Sequence, residues 1–308
     1  MIDTTTAPGP SPAPSPAASP ARARRSKLKQ LSPLQLVGVL FLCVIGLVYL
    51  YPIIWLADSA FRPAVEIFQY PPLLVRDFER GLTEYTLGSM RLALNAPWRV
   101  DAAFVFSVFV SVTGIFLALL VSSLTAYAFA YLEFPGRKFL FAFILGTMML
   151  PLVTMISPGF QVIAGLGLTN NLWGVMLPYA MSAFGVFLLR QYYIKIPRSF
   201  MESAKVEGAG HLRIWWSIIL PLSRPALAAL AIVQFRTIWN DFLFPLIVLG
   251  GEKARTLPIA IKVMDSQNFN KPYEGIIAAG FLTAIVPMIF FLIFQRQFIE
   301  GLAGGMKE

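Results

Sequence analysis

The chain has 308 residues, is 57% hydrophobic and carries only 13% charged residues. A soluble domain carries roughly 25% charge, so composition excludes a soluble enzyme or a soluble binding module. The net charge of +9 would also suit a nucleic-acid partner, and only its placement along the chain decides between readings.

Residues 1 to about 20 are nearly all Pro, Ala, Ser, Thr and Gly. Such a segment buries too little apolar surface to offset its ordering entropy and is expected to be disordered. Arg22, Arg24, Arg25, Lys27 and Lys29 follow, directly before the first apolar run. Basic residues abutting a span hold that end in the cytoplasm; a nucleic-acid arm is the competing reading. Residues 1–30 therefore read as a disordered, basic cytoplasmic tail and 31–308 as a membrane domain. No short apolar stretch with a small-residue cleavage site occurs near the start, so no cleavable signal peptide is expected.

Runs without Asp, Glu, Lys or Arg extend over 34–57, 102–132 and 139–189. A spanning helix needs about 20 apolar residues, so the first two runs hold one span each and the third holds two. The first span covers about 34–57, with Tyr49, Tyr51 and Trp55 as interfacial anchors, and contains the single Cys43. Residues 58–101 form a mixed-charge outer segment with short helices. A second span covers about 103–132 and ends at the turn Glu133-Phe134-Pro135-Gly136-Arg137-Lys138. The third, about 139–164, contains Pro151 and Pro158 and should bend, with neighbouring helices satisfying the freed carbonyls. The fourth covers about 172–189, the fifth about 222–249 and the sixth about 274–294. Cytoplasmic segments then hold 15 Lys and Arg against 6 acids, while the outer segments hold 9 of each. All excess positive charge lies inside, as the positive-inside rule expects. The basic balance marks orientation, and no nucleic-acid partner is needed.

Between spans four and five lies a polar island, Ser199-Phe200-Met201-Glu202-Ser203-Ala204-Lys205-Val206-Glu207-Gly208. Pro197 stops the preceding helix. Ser199 and Glu202 have capping-box spacing, and Gly208 offers a left-handed C-terminal stop. The spacing predicts one short helix with small residues Ser203, Ala204 and Gly208, over which another surface can come close. An ordinary helix lying at the membrane face is the competing reading.

The pattern Glu202-Ser203-Ala204, three residues, Gly208, nine residues, Ile218, one residue, Leu220-Pro221 resembles the E-A-A…G…I-L-P loop of ABC importer membrane subunits. Ser203 replaces the usual second-position alanine, and Glu207 stands where an aspartate is common. The Phe134-Pro135-Gly136-Arg137 turn, the run Trp239 to Phe242 and the end Gly301-Leu302-Ala303-Gly304-Gly305 are similar to features of binding-protein-dependent carbohydrate permeases of the maltose-type second-permease kind. The resemblance implies an all-α membrane protein with six spans, both termini cytoplasmic and a coupling helix between spans four and five. It also implies that Glu202, Ser203, Ala204, Glu207, Gly208, Leu220 and Pro221 dock an ATPase subunit. The implied setting is a bacterial inner membrane with a homologous second permease, two ATP-binding subunits and an outer solute-binding protein.

Catalytic constellations are missing from the sequence. There is no phosphate loop and no Gly-Lys pair, so no ATP site of that kind is expected in this chain; ATP and magnesium would belong to partner subunits. A metal site needs several ligands, and His211 is the one histidine, so neither cofactor nor metal is expected. Gln234, Arg236, Asn240 and Asp241, with Trp239 among them, are polar residues at membrane depth, where charge is costly and faces a cavity or a partner. They are either glue between helices or, for Trp239, Asn240 and Asp241, the lining of a substrate path. Permeases for glycerol phosphate, a polyol or a peptide, and secondary transporters, are the alternatives. The last normally show two matching halves, and no internal repeat is visible.

Overall fold

The computed structural model describes residues 32–68, 85–95, 97–250, 255–267 and 271–303; the expected disordered tail and Pro71-Pro72 lie outside them. Among the described residues all regular structure is helical. In order these are α1 (Pro33–Ser59), α2 (Ala64–Ile67), α3 (Gly88–Leu94), α4 (Val100–Tyr131), α5 (Arg137–Thr147), α6 (Leu152–Gly165) and α7 (Leu172–Met176). A 3₁₀ turn at Leu177–Ala180 leads into α8 (Ala183–Tyr193), then α9 (Ser199–Val206) and α10 (His211–Leu222). The chain continues as α11 (Arg224–Trp239), α12 (Leu243–Leu249), α13 (Leu257–Asp265) and α14 (Tyr273–Ala303). Residues up to Ile54 form one compact unit and Trp55 onward another.

Among the described residues four helical stretches are long and apolar enough to cross a membrane: Pro33–Ser59, Val100–Tyr131, Leu172–Tyr193 and Tyr273–Gln295. Two further stretches are bent pairs, α5 with α6 at 109° and α10 with α11 at 81°. The bend expected in the third span is therefore a sharp break. It falls at Met148–Pro151, where Pro151 takes an extended conformation ahead of α6, while Pro158 is carried inside α6. The fifth span departs from expectation more strongly. It is not one helix over 222–249 but α11 and α12 separated by Asn240-Asp241-Phe242, with α11 turning away from α10 at Ser223.

The second unit is built around α4. Its buried face repeats small residues about every fourth position: Ala103, Ser107, Ser111, Gly114, Ala118, Ser122, Ala126 and Ala130. In a membrane, where apolar side chains gain little by leaving lipid, small stripes let backbones approach and collect dispersion contacts. Against this stripe pack α8, α11 and the 3₁₀ turn. At Gly185 the approach is so close that an added Cβ would sit 2.7 Å from the Ser122 hydroxyl and 2.9 Å from Leu230. One apolar cluster surrounds Trp239, Val100, Met176 and Leu257; the other surrounds Tyr193, Leu189, Ile214 and Ile219.

Between α1 and α3, the fully buried Arg62 makes a two-pronged ion pair with Asp58, at 3.0 Å for each bond. Tyr85 donates to the same carboxylate at 2.9 Å, a bond that raises the pKa of the phenol. In the other outer segment Lys271 and Lys262 both bond to Asp265, and hold its carboxyl below the usual range.

Candidate functional site

The polar island folds as the short helix α9, as its spacing predicts, but its start is built differently. Ser199 is already helical and its hydroxyl caps nothing. The amides of Phe200, Met201 and Glu202 are taken by the carbonyls of Pro197 and Arg198, at 2.9–3.3 Å. Backbone has satisfied the donors that a capping box would serve, so the expected Ser199–Glu202 box does not form. The end of the helix is as expected. Gly208 has φ +81, its amide bonds to the Lys205 carbonyl, and the next amide, of Ala209, reaches back to Ala204, both at 2.9 Å. That pair of bonds is the Schellman stop.

Met201 and Ala204 face inward, in one cluster with Tyr193, Ile214 and Trp215. Glu202, Ser203, Lys205, Glu207 and Gly208 are exposed. So are large apolar side chains: Val206 is 89% exposed, Leu212 73%, Trp216 66% and Phe200 49%. Ser203 folds its hydroxyl back onto the Ser199 carbonyl at 2.6 Å, which keeps its surface small. An added Cβ at Gly208 would meet nothing within 4 Å, so the space over the stop is open. Leu220 and Pro221 lie in the last turn of α10, after a π turn over Trp215–Ile219. Pro221 has no amide to give, and the wider turn before it accommodates that. Phe200, Val206, Leu212 and Trp216 were not singled out in the sequence; apolar residues at exposed positions of a short polar helix are the signal that points to them. The imidazole of His211 lies 3.0 Å from the Tyr127 hydroxyl, which anchors α10 to α4.

The second group of residues gathers at the helix breaks. Asn240 ends α11, its side-chain amide donating to the Arg236 carbonyl at 2.9 Å. Asp241 accepts from the Tyr179 hydroxyl at 2.7 Å and, on its other oxygen, from the Phe244 amide at 3.4 Å. It thereby caps α12 and ties the break in this segment to the 3₁₀ break in the preceding one. A second tie joins Gln234 to Ser182 at 2.5 Å; Ser182 also caps α8 by accepting from Gly185 at 3.0 Å. Trp239 packs between Phe104 and Phe235 with its indole N–H on the Thr283 carbonyl, and is almost fully buried. On the opposite face of α11, Arg236, Thr237 and Asn240 share an exposed stripe. Arg236 and Asp241 are not paired. Tyr179 and Thr237 escaped the sequence reading: Tyr179 sits in an apolar run and is marked only by Pro178 before it.

Comparison with known proteins bears on both groups. Residues 114–303 match the family described as the binding-protein-dependent transport system inner membrane component. The chain belongs to that family. These are the membrane permeases of ABC importers, and both α9 and the polar break fall inside the matched segment. The arabinooligosaccharides transport system permease protein of Halalkalibacterium halodurans is 34% identical over 278 residues, covering 90% of this chain and 97% of that one. The sn-glycerol-3-phosphate transport system permease protein of Yersinia enterocolitica is 38% identical over 188 residues, 61% of this chain and 67% of that one. A crystal structure of a bacterial ABC transporter involved in the import of the acidic polysaccharide alginate contains a chain of the same fold. Its TM-score is 0.72 at 22% identity, over 92% of this chain and 99% of that one. The permease is thus an inner-membrane protein, and its part in the importer is transport.

Proposed function

We propose that this permease is one of two homologous membrane subunits forming the path for a sugar or oligosaccharide, with two ATP-binding subunits inside and a solute-binding protein outside. ATP and magnesium are held by those partners. The observation that carries the reading is α9: a helix with its inner face locked by Met201 and Ala204, its stop left open at Gly208, and apolar Phe200 and Val206 presented outward. In this reading six spans cross the membrane, α5 with α6 and α11 with its flanking helices counting as one each, and both termini are cytoplasmic. ATP-driven closure of the ATPase pair moves α9 and α10 as a unit, because His211 and the Ile214–Trp215 cluster fasten them to α4. The spans then reorient around the solute.

Asn240 and Asp241 are assigned to the path and Trp239 to its rigid backing. Arg236 favours a second reading of the solute. It lies about 18 Å along α11 from Arg224, twelve residues at 1.5 Å each, which in this reading falls within a hydrocarbon core about 30 Å thick. Among the described residues its guanidinium has no acidic partner. A cation at that depth calls for a counter-charge, and an anionic solute such as a uronate oligosaccharide or a sugar phosphate would supply it.

The test is reconstitution with the co-purifying subunits and binding protein, reading solute-stimulated ATP hydrolysis with neutral oligosaccharides, uronate oligosaccharides and glycerol phosphate. Stimulation by one saccharide class is expected. Glu202→Lys, which reverses charge at a helix start that favours anions, should reduce ATPase content or stimulation while the two membrane subunits stay together. Full content and full stimulation in that variant would remove α9 from the docking role.

A further inference from the structure

At the same end of the second unit as α9, the turn between α4 and α5 holds a cavity that neither the docking helix nor the substrate path uses. It has a volume of about 660 Å³ and is lined by Glu133, Phe134, Gly136, Arg137, Lys138, Phe139 and Arg190. That size falls in the range of roughly 300–1,000 Å³ common for small-molecule sites. Three cations meet one exposed carboxylate there, and none of the three forms an ion pair among the described residues.

Part of this charge has a structural use. Arg137 donates to the Leu132 and Ala130 carbonyls at 3.1 and 3.3 Å, and Arg190 donates through Nε to the Phe129 carbonyl at 3.2 Å. These are carbonyls at the C-terminus of α4, where intrahelical donors have run out and positive charge is favoured. The capping leaves donors over. The two terminal nitrogens of Arg190 and the ammonium of Lys138 have no hydrogen-bond partner in the described residues, and they are not sealed from solvent. Arg190 is held in place by stacking over the Phe141 ring at 4.2 Å, so its free donors are already oriented.

Beside the cationic floor the surface turns apolar. Phe139 is 73% exposed, Phe143 64% and Leu140 45%, all on α5, which runs from the turn into an apolar stretch. An acidic peptide or a free anion would use the cations and leave the aromatic flank uncovered. A phospholipid uses both, with its phosphate on the cations and its acyl chains along α5. Basic pockets between membrane helices on the cytoplasmic side hold anionic headgroups in this manner. We propose that this cavity is a binding site for an anionic phospholipid of the inner leaflet, with Arg190 and Lys138 as the headgroup donors and Arg137 closing the site against α4. None of the lining residues lies in α9, and the inference rests on the proposed topology, which puts the turn between α4 and α5 on the cytoplasmic side, and not on which solute is carried.

The experiment is native mass spectrometry of the detergent-purified importer complex, titrated with phosphatidylglycerol or phosphatidylcholine of matched chains. The wild-type complex should retain phosphatidylglycerol selectively. In Arg190→Gln/Lys138→Gln its affinity should fall by about twenty-five-fold, since each cation near a membrane surface contributes about fivefold, and approach that for phosphatidylcholine. Lys138→Gln alone, on an exposed side chain that caps nothing, should give about fivefold and guards against misfolding of the double variant. Lys195→Gln removes a cation from the same membrane face outside the cavity and should change nothing. Equal retention of the two lipids by the wild type, an equal drop in Lys195→Gln, or loss of ATPase subunits from Lys138→Gln with lipid retention unchanged would each overturn the assignment.

Discussion

The docking helix and the polar break are both short interruptions of apolar sequence, yet they are held by opposite means. In α9 the decisive bonds are local, between residues at most five apart: Pro197 and Arg198 at the start, Gly208 and Ala209 at the end. At Asn240-Asp241-Phe242 the decisive bonds are distant, Tyr179 to Asp241 and Ser182 to Gln234. A locally built element can present its face to a partner without disturbing the bundle. An element built from long-range polar ties can change shape only if several helices move together, which suits a path that opens and closes. Failures should therefore appear in coupling for α9, and in packing as well as transport for the break.

The largest expected effect is at the break. Asp241→Ala removes the acceptor for the Tyr179 hydroxyl and the cap of α12 at once. Leaving a fully buried donor unpaired costs about 1–3 kcal/mol, of which the half-buried Tyr179 hydroxyl should lose the lower part, and the lost cap adds up to about 1 kcal/mol. The purified complex should lose several degrees of thermal stability and most of its uptake. Removing Tyr179's hydroxyl as well, in Tyr179→Phe/Asp241→Ala, should recover part of the stability and none of the uptake. A single variant with unchanged melting would mean that the tie does not hold the two breaks together.

Next in size is Gly208→Val. The site has room for the side chain, so the effect is conformational: a left-handed, β-branched residue costs about 1–2 kcal/mol. The strain falls on the open turn at the end of α9, where an added side chain meets nothing within 4 Å. Membrane-subunit assembly should therefore survive while solute-stimulated hydrolysis drops. If assembly fails along with stimulation, α9 is not the independent element that its bonding suggests.

These two regions also mark how far the sequence could be read. Apolar runs separated by charge located the membrane helices, and Gly208 announced the stop of α9, because both depend on neighbours in the chain. The break at Asn240 was invisible as a break. Trp239-Asn240-Asp241-Phe242 contains neither proline nor glycine, and a helix through it is locally acceptable. It opens because Asp241 finds Tyr179, 62 residues away, and no periodicity reports such a partner. The depth of Trp239 was hidden for the same reason, since Phe104 and Thr283 come from other helices. The small residues every fourth position in α4 were passed over in the sequence as part of an apolar run, and which helices they receive is decided by the fold.

The smallest effect is the most discriminating for the local side of the comparison. The Ser199-x-x-Glu202 spacing satisfies the capping-box rule, and an N-cap serine replaced by alanine ordinarily costs about 1 kcal/mol. Here Pro197 has pre-set the turn, and the carbonyls of Pro197 and Arg198 already hold the first amides of α9. Ser199 is inside the helix rather than in front of it, and alanine is the better residue there. Ser199→Ala should therefore leave thermal stability, ATPase content and stimulation within about 0.5 kcal/mol of wild type. Ser203→Ala, whose hydroxyl only returns to the Ser199 carbonyl, should be equally silent, since that bond stays within one turn and adds no tertiary tie. A loss of about 1 kcal/mol in Ser199→Ala would mean that its hydroxyl caps the helix after all. The start of α9 would then depend on a side chain, and the contrast with its backbone-built end would disappear.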